Sequence, residues 1–426
     1  MYKKRIVDNI IDLKTEIFGA INLIGPKGTG KTTTAGERCR TIIRFQNEDE
    51  RENLLMIANT KPSSLLDNPK PILLDEWQDA PKTWGAVRTY CDEHPEEFGA
   101  FYLTGSSSKN VITPHTGTLR ISKIAMYPMS LYESGESNGS VSLKELFDNP
   151  NGFKGCKSGL SFDDMIFAIC RGGWPRFLIS KTKRAELLVA KDLYEQTYST
   201  DISSIDGVNR NPTISRLLMQ SYARNICTLA DNKTIIRDIN SNYPISETTY
   251  FDYVGALEKL YIIQDLEAWC PSIRSKTAIR SGRKRNFVDP SIAVAALGAS
   301  PEFLKKDFKT LGFLFESLCI RDLKVYSSSN DGKISYYHDR YDLEADGVLH
   351  LEDGRYAIIE FKLGSSYINE GAQNLNKIEQ LIEAYNTKYP NMKMRTPDLK
   401  IVITAETYGY KRDDGVFVIP IGCLKD

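Results

Sequence analysis

The segment Gly25-Pro26-Lys27-Gly28-Thr29-Gly30-Lys31-Thr32, followed by Thr33, constrains the fold of this 426-residue chain more than any other stretch. Glycines at these places let successive backbone N–H groups turn toward a phosphate with no Cβ in the way. Lys31 is spaced to reach β- and γ-phosphates, and Thr32 to offer its hydroxyl to Mg²⁺. Ala20-Ile21-Asn22-Leu23-Ile24 reads as a short buried strand feeding the loop, and a helical run is expected from the loop to about Phe45. The pattern predicts ATP and Mg²⁺ as cofactors, cradled by residues 25–33.

Further β-like segments are Asn53 to Ala58, Pro71 to Leu74 and Ala100 to Thr104, with helical stretches between some of them. Alternating strand and helix predicts an α/β fold, a parallel sheet covered on both faces. Asp75-Glu76 ends one buried run. In that setting Asp75 assists the metal and Glu76 orients the attacking water. Leu103-Thr104-Gly105-Ser106 ends another, making Thr104 and Ser106 candidate γ-phosphate sensors. Arg120 follows as a candidate for stabilising transition-state charge, in its own site or a neighbour's.

Bulk composition excludes little. Hydrophobic residues make up 41 % and charged residues 26 %, the profile of an ordinary globular protein. The formal net charge of zero means that nucleic-acid contact would need a local basic patch. The cysteines and histidines are dispersed and form no zinc-ligand spacing. No apolar run approaches the roughly 20 residues that span a bilayer, and the N-terminus lacks a signal-peptide pattern. The expectation is a cytoplasmic protein with no membrane contact.

Residues 133–159, rich in Ser, Gly and Asn, read as a polar linker or insertion after a first domain of residues 1–132. Residues 160–300 read mainly as helices, with Gly172-Gly173-Trp174-Pro175 as a turn. Within them a helix carrying Ile235, Ile236 and Ile239 precedes a second helix from a Ser246 N-cap and a strand-like Leu260-Tyr261-Ile262-Ile263. That order suits a winged helix. Arg274, Lys276, Arg280, Arg283, Lys284 and Arg285 follow with no acid among them, a density suited to phosphate-backbone contacts. From residue 301 to 426 the chain turns to α+β, with a helix and then strands around 333–337, 346–351 and 356–361.

Taken in order, Gly25 to Thr32, Leu73-Leu74-Asp75-Glu76-Trp77-Gln78, Leu103 to Ser107, Arg120 with Tyr127-Pro128-Met129-Ser130-Leu131, and Gly172-Gly173-Trp174-Pro175 carry a resemblance over nearly the whole chain. The sequence resembles a large prokaryotic family of AAA-plus ATPases with a C-terminal domain of originally unknown function. The resemblance implies a P-loop NTPase domain, a winged-helix-like middle region and a C-terminal fold similar to PD-(D/E)xK restriction-endonuclease-like nucleases. Two departures stand out: Leu119-Arg120 replaces the family's usual Gly-Arg pair, and the segment 133–159 is longer and more polar.

Against that background, Asp346 and the run Ile358-Ile359-Glu360-Phe361-Lys362 read as a second candidate site. Period-two alternation places Glu360 and Lys362 on one face of their strand. Asp346 on a neighbouring strand could join Glu360 around Mg²⁺, with Lys362 positioning water for attack on a phosphodiester and Glu316 adding a further acidic contact. Glu360-Phe361-Lys362 is the only Glu-x-Lys of the chain. Two readings follow. In the first, ATP binding and hydrolysis control DNA binding or processing by a nuclease-like domain. In the second, the protein is a nucleotide-dependent switch or scaffold whose nuclease fold is inactive and binds DNA or a protein partner. Homo-oligomerisation is compatible with either.

Overall fold

The computed structural model describes residues 2–105, 117–271, 281–339 and 343–426. Ser106, Arg274, Lys276 and Arg280 lie outside the described residues. Strands β1 (Ala20–Ile24), β2 (Thr41–Arg44), β3 (Ile72–Asp75), β4 (Phe101–Thr104) and β5 (Ile121–Ala125) form a five-stranded sheet in the order β2-β3-β4-β1-β5. Every pairing in it is parallel. Successive residues feed opposite faces. Ile72, Leu74, Phe101 and Leu103 pack in one core with Trp84 and Val87, whereas Ile21, Leu23, Leu73 and Tyr102 pack in another with Val7 and Ile11. Burial on both faces explains why these strands read as continuous apolar runs.

Two sequence expectations fail here. The helix after the loop spans only Lys31–Gly36, and Thr41–Arg44 is a strand. Three threonines and a glycine are poor helix formers, and Thr41-Ile42-Ile43 is β-branched throughout. Conversely, the segment expected as a strand at 53–58 belongs to the helix Arg51–Thr60. Leu54, Ile57 and Ala58 face the core at helical spacing while Met56 is exposed. A short apolar run carries no period of its own.

Residues 133–159 are not a free linker. Ser130 and Glu133 form a capping box on the helix Leu131–Ser134, and Glu133 pairs with buried Arg5 at 3.0 Å. Strand β6 (Val141–Ser142) and strand β7 (Cys156–Lys157) both pair with strands of the C-terminal region, so the segment is stitched to the far end of the chain. Leu143, Leu146 and Phe147 are buried between them. Polar composition marked exposure of alternate residues, not detachment of the backbone.

The middle region contains the helices Phe162–Arg171, Lys183–Gln196, Pro212–Arg224, Asn232–Asn240, Glu247–Lys259 and Pro290–Leu297. Ser246 caps its helix by accepting from Thr249 N–H, as the sequence pattern anticipates. After Glu247–Lys259, antiparallel bridges join Ile263 to Phe287 and Leu266 to Lys284.

Strands β8 (Gly332–His338), β9 (Glu344–Leu351), β10 (Tyr356–Lys362), β11 (Leu399–Thr404), β12 (Tyr408–Lys411) and β13 (Phe417–Pro420) join β7 in a seven-stranded mixed sheet. Its order is β7-β12-β13-β11-β10-β9-β8. Strand β14 (Leu424–Lys425) pairs with β6. The helix Phe308–Ser328 packs on one face, in a core shared with the middle region, and the helix Ile368–Lys388 packs on the other.

Candidate functional site

The loop after β1 is shaped by glycines in backbone states that a side chain would forbid. Gly25 has φ 142°, and a Cβ there would lie 2.2 Å from the Met126 carbonyl oxygen; Gly30 has φ 93°. Thr29 is buried and donates to the Pro26 carbonyl at 3.0 Å, while its own carbonyl accepts from Arg5 at 3.0 Å. Lys31 donates to the carbonyls of Gly25 and Pro26 at 3.0 and 2.8 Å. Burial pushes its ammonium down to about 8, against the opposing pull of Glu76 and Asp75. Lys27 reaches out of the loop to Asp201 of the middle region at 2.7 Å.

Strands β3 and β4 bring the acidic and hydroxyl groups to the same end of the sheet. Asp75 Oδ1 accepts from Thr32 Oγ1 at 2.7 Å and from Thr104 Oγ1 at 2.6 Å. These oxygens are hard donors of the kind that suit Mg²⁺, and they open toward the loop, so the residues present fit that ion. Glu76 adopts φ 56°, a left-handed conformation that is unfavourable for a glutamate. Its N–H is bonded to the Thr104 carbonyl at 2.8 Å, and Gln78 Nε2 donates to its carboxylate. Backbone strain held by surrounding hydrogen bonds concentrates at working sites.

A cavity of about 660 Å³ opens over this group, lined by Lys27, Gly28, Gly30, Lys31, Thr32, Thr33 and Glu76 from below. Its roof comes from elsewhere in the chain. Pro175, Arg176, Leu178 and Ile179 supply it, with Met129, Tyr2, Lys3 and Arg5 at the sides. Gly28 faces the Trp174 ring and Gly30 faces Pro175. Sequence reading marked Gly172 to Pro175 as a turn but did not assign it to the cavity. Its only local signal was the Gly-Gly-Trp-Pro composition, which reports a turn and not its destination.

That turn is clamped from both sides. A Cβ on Gly173 would lie 2.1 Å from the Met129 carbonyl oxygen, and Met129 N–H donates to the Gly173 carbonyl at 2.6 Å. Gly173 N–H donates to Asp289 at 3.0 Å and Trp174 Nε1 to Ser291 at 3.0 Å. Asp289 pairs with Arg321 of the helix Phe308–Ser328 at 3.0 Å, and Arg321 pairs with Asp322 at 2.6 Å. Asp322 in turn accepts from Leu131 N–H at 3.0 Å. All three charged side chains are essentially buried, and each has its partner, as burial requires.

Arg120 lies elsewhere. Its carbonyl accepts from Ala20 N–H at the start of β1, and its guanidinium pairs with Asp92 at 2.6 Å. The phosphate loop leaves the other end of β1, about 15 Å away at the usual strand rise. The expected role in its own chain's site is therefore overturned. Arg120 sits at the opposite end of the parallel strands from the phosphate loop. Leu119 before it has φ 68°, a left-handed state that favours glycine.

The basic cluster also needs correction. Of its described members only Arg283 is exposed, and it lies 3.5 Å from Glu258. Arg285 is buried against Asp265 at 2.9 Å, the Tyr222 hydroxyl at 2.9 Å and Asn232. Lys284 is buried with its ammonium 2.9 Å from Glu316, 2.7 Å from Glu344 and 3.8 Å from Asp346. Burial by itself would lower that ammonium, but Glu316, Asp346 and Glu344 hold it well above the ordinary lysine range. Neither Lys284 nor Arg285 can meet a phosphate backbone.

Glu316 and Asp346 converge, but around that lysine, whereas Glu360 is paired elsewhere. Asp346 accepts from Phe361 N–H at 3.1 Å. Glu360 pairs with Lys362 at 2.8 Å and accepts from Asn374 at 2.6 Å. Burial, reinforced by Asp346, pushes the Glu360 carboxyl up to about 7. Among the described residues, no three His, Cys, Asp or Glu side chains are arranged to hold a metal ion. As arranged, Glu316, Asp346 and Glu360 do not fit Mg²⁺. Sequence reading missed Glu344 and Asn374, and it assigned Lys284 to the surface.

Among the described residues, no helix is long and apolar enough to cross a membrane. Comparison with known proteins places three family profiles along the chain. Residues 18–135 match an AAA domain, residues 162–302 a domain of unknown function (DUF8612), and residues 311–424 another domain of unknown function (DUF4143). No curated protein matches the chain. One similar solved structure is the Walker-type ATPase paby2304 of Pyrococcus abyssi, at 14 % identity and a TM-score of 0.40, covering 69 % of this chain and 96 % of that one. Another is the replication initiator DnaA bound to AMPPCP and single-stranded DNA, at 12 % identity and a TM-score of 0.26, covering 58 % and 86 %. The AAA-domain match at residues 18–135 coincides with the parallel sheet and its phosphate loop, and together they support nucleotide binding by this N-terminal part of the chain.

Proposed function

We propose that the protein is an ATP-hydrolysing switch whose nucleotide state is passed to its middle and C-terminal regions. The observation that carries this reading is the roof of the cavity. A ligand there would touch both the phosphate loop and the turn that bears Pro175, and that turn is bonded through Asp289 to Arg321 of the helix Phe308–Ser328.

In this reading the loop N–H groups of residues 25–33 and the Lys31 ammonium hold the phosphates, exchanging carbonyl partners for phosphate oxygens. Thr32 and Asp75 hold Mg²⁺, which would screen the phosphate charge, and Thr104 fixes Asp75. Glu76 orients the attacking water. Thr104 therefore acts through Asp75, and Ser106 is left as a candidate sensor on sequence grounds alone.

The switch requires that ATP change the middle region. Hydrogen exchange on the Glu76→Gln variant, with and without ATP–Mg²⁺, tests this. Added protection should extend from residues 25–34 to 172–179 and into the helix Phe308–Ser328. Protection confined to the phosphate loop would leave an ATPase without a switch.

The output is the second part of the proposal. The helices Pro212–Arg224, Asn232–Asn240 and Glu247–Lys259 with the bridged segments after them support a winged-helix-like reading, and the mixed sheet between two helices supports a nuclease-like one. DNA is the first candidate partner on that basis. The inward turn of Lys284 and Arg285 favours the scaffold reading, with a protein or DNA bound but not cut. Fluorescence anisotropy with duplex DNA across a salt series separates the two. DNA binding would weaken steeply as salt rises, and no binding at low salt would point to a protein partner.

A further inference from the structure

We infer that Lys284 is the resident cation of the C-terminal carboxylate cluster. The nuclease-like sheet then takes no divalent ion there, and the cluster is an ionic anchor for the middle region. Lys284 comes from outside the sheet, on a segment whose backbone is paired to Leu266 in both directions, at 2.8 and 3.0 Å. Its ammonium has three donors and no acceptor. Two of those donors meet Glu316 from the helix Phe308–Ser328 and Glu344 from β9, and Asp346 of β9 lies 3.8 Å away as a further anion. The Tyr336 ring lies 5.6 Å from the same nitrogen.

Three further carboxylate oxygens are also committed. Asp346 Oδ2 is bonded to Phe361 N–H, and the two oxygens of Glu360 are bonded to Asn374 and Lys362. Mg²⁺ demands near-octahedral oxygens at roughly 2.0–2.1 Å. Seating it would mean expelling Lys284 from its partners and breaking the Glu360–Lys362 pair. The ammonium, buried to 2 % exposure, would then face a like charge after losing its carboxylate partners.

The segment holding Lys284 is not a loose flap. Asn286 accepts from Ser317 at 2.7 Å and Asp289 from Arg321 at 3.0 Å, so residues 284–289 are fastened along one helix. The inference rests on the scaffold reading of the C-terminal half and is independent of whether ATP is hydrolysed.

The test uses the full chain without nucleotide, in an Asp75→Asn background that removes the phosphate-loop metal ligand. Mn²⁺ is titrated and followed by electron paramagnetic resonance. The expected result is no Mn²⁺ uptake that depends on Asp346, hence identical titrations with and without Asp346→Asn. Lys284→Gln should gain a Mn²⁺ site at least about tenfold tighter than anything in the parent, because the like charge is gone. Asp346→Asn should abolish that gained site. Uptake by the parent that Asp346→Asn removes would overturn the inference, as would a folded Lys284→Gln that gains no site. If Lys284→Gln fails to fold, the parent titration with and without Asp346→Asn still decides. Since ATP plays no part, failure here is distinct from failure of the switch.

Discussion

Two buried lysines sit beside carboxylates in this molecule, and they are arranged in opposite ways. Lys31 is tethered to loop carbonyls under an open cavity, with Asp75 held back by two hydroxyls. Its neighbours are weak partners that a phosphate can outcompete. Lys284 is itself buried and bonded directly to the carboxylates of Glu316 and Glu344. One lysine is kept short of charge and the other is saturated with it. The ammonium of the first is pushed down to about 8, and that of the second is held well above the ordinary range. A cation left under-compensated is prepared to receive an anion; a cation fully compensated is part of the structure.

The sharpest way to break this comparison is through the reaction itself. Glu76→Gln should lower ATP turnover by about 10²–10⁴-fold with ATP affinity retained. Steady-state hydrolysis together with a fluorescent-nucleotide titration measures both, and an unchanged rate would remove the site's catalytic reading.

Next in size is the saturated lysine. Lys284→Met leaves Glu316 and Glu344 without their cation and should cost about 3–5 kcal/mol of stability, read from a urea midpoint. Lys31→Met should lose ATP binding while leaving the urea midpoint unchanged or slightly raised, since the fold spends energy to bury that ammonium. Equal destabilisation by both changes would erase the distinction.

A pH series gives a smaller effect with a definite sign. Phosphate binds the protonated lysine, whose ammonium is pushed down to about 8 in the free protein. ATP affinity should therefore be level below pH 8 and fall about tenfold per unit above it, until the pH passes the raised value in the complex. Isothermal titration in buffers of different ionisation enthalpy should register proton uptake at pH 9. The least effect is expected from Arg283→Ala, an exposed residue whose ion pair is worth under about 1 kcal/mol. Stability should barely move, and if DNA binds, the salt slope should drop by about one.

Local chemistry was legible wherever it was carried by consecutive residues. The phosphate loop, the acidic end of β3 and the hydroxyl end of β4 are each one short run, and a strand places its terminal residue without help from the rest of the fold. The helix cap at Ser246 was likewise local. Misreadings arose where one composition serves two outcomes. Leu54 to Ala58 suits helix or strand, and residues 133–159 are polar whether free or stitched at a sheet edge. In the run Arg283-Lys284-Arg285 the first cation is exposed and the next two are buried against carboxylates, a difference that composition does not carry.

By itself, the sequence determined a phosphate loop at the end of a parallel strand, with Asp75 and Glu76 ending a second strand. Those features follow from backbone sterics and period-two burial within a few residues. Tertiary structure decided which end of the sheet Arg120 occupies, that Pro175 roofs the nucleotide cavity, and that Lys284 fills the acidic cluster of the C-terminal sheet. Each of these joins groups from distant parts of the chain. The forces that select such contacts, desolvation and charge compensation, depend on where the chain returns in space and not on its order.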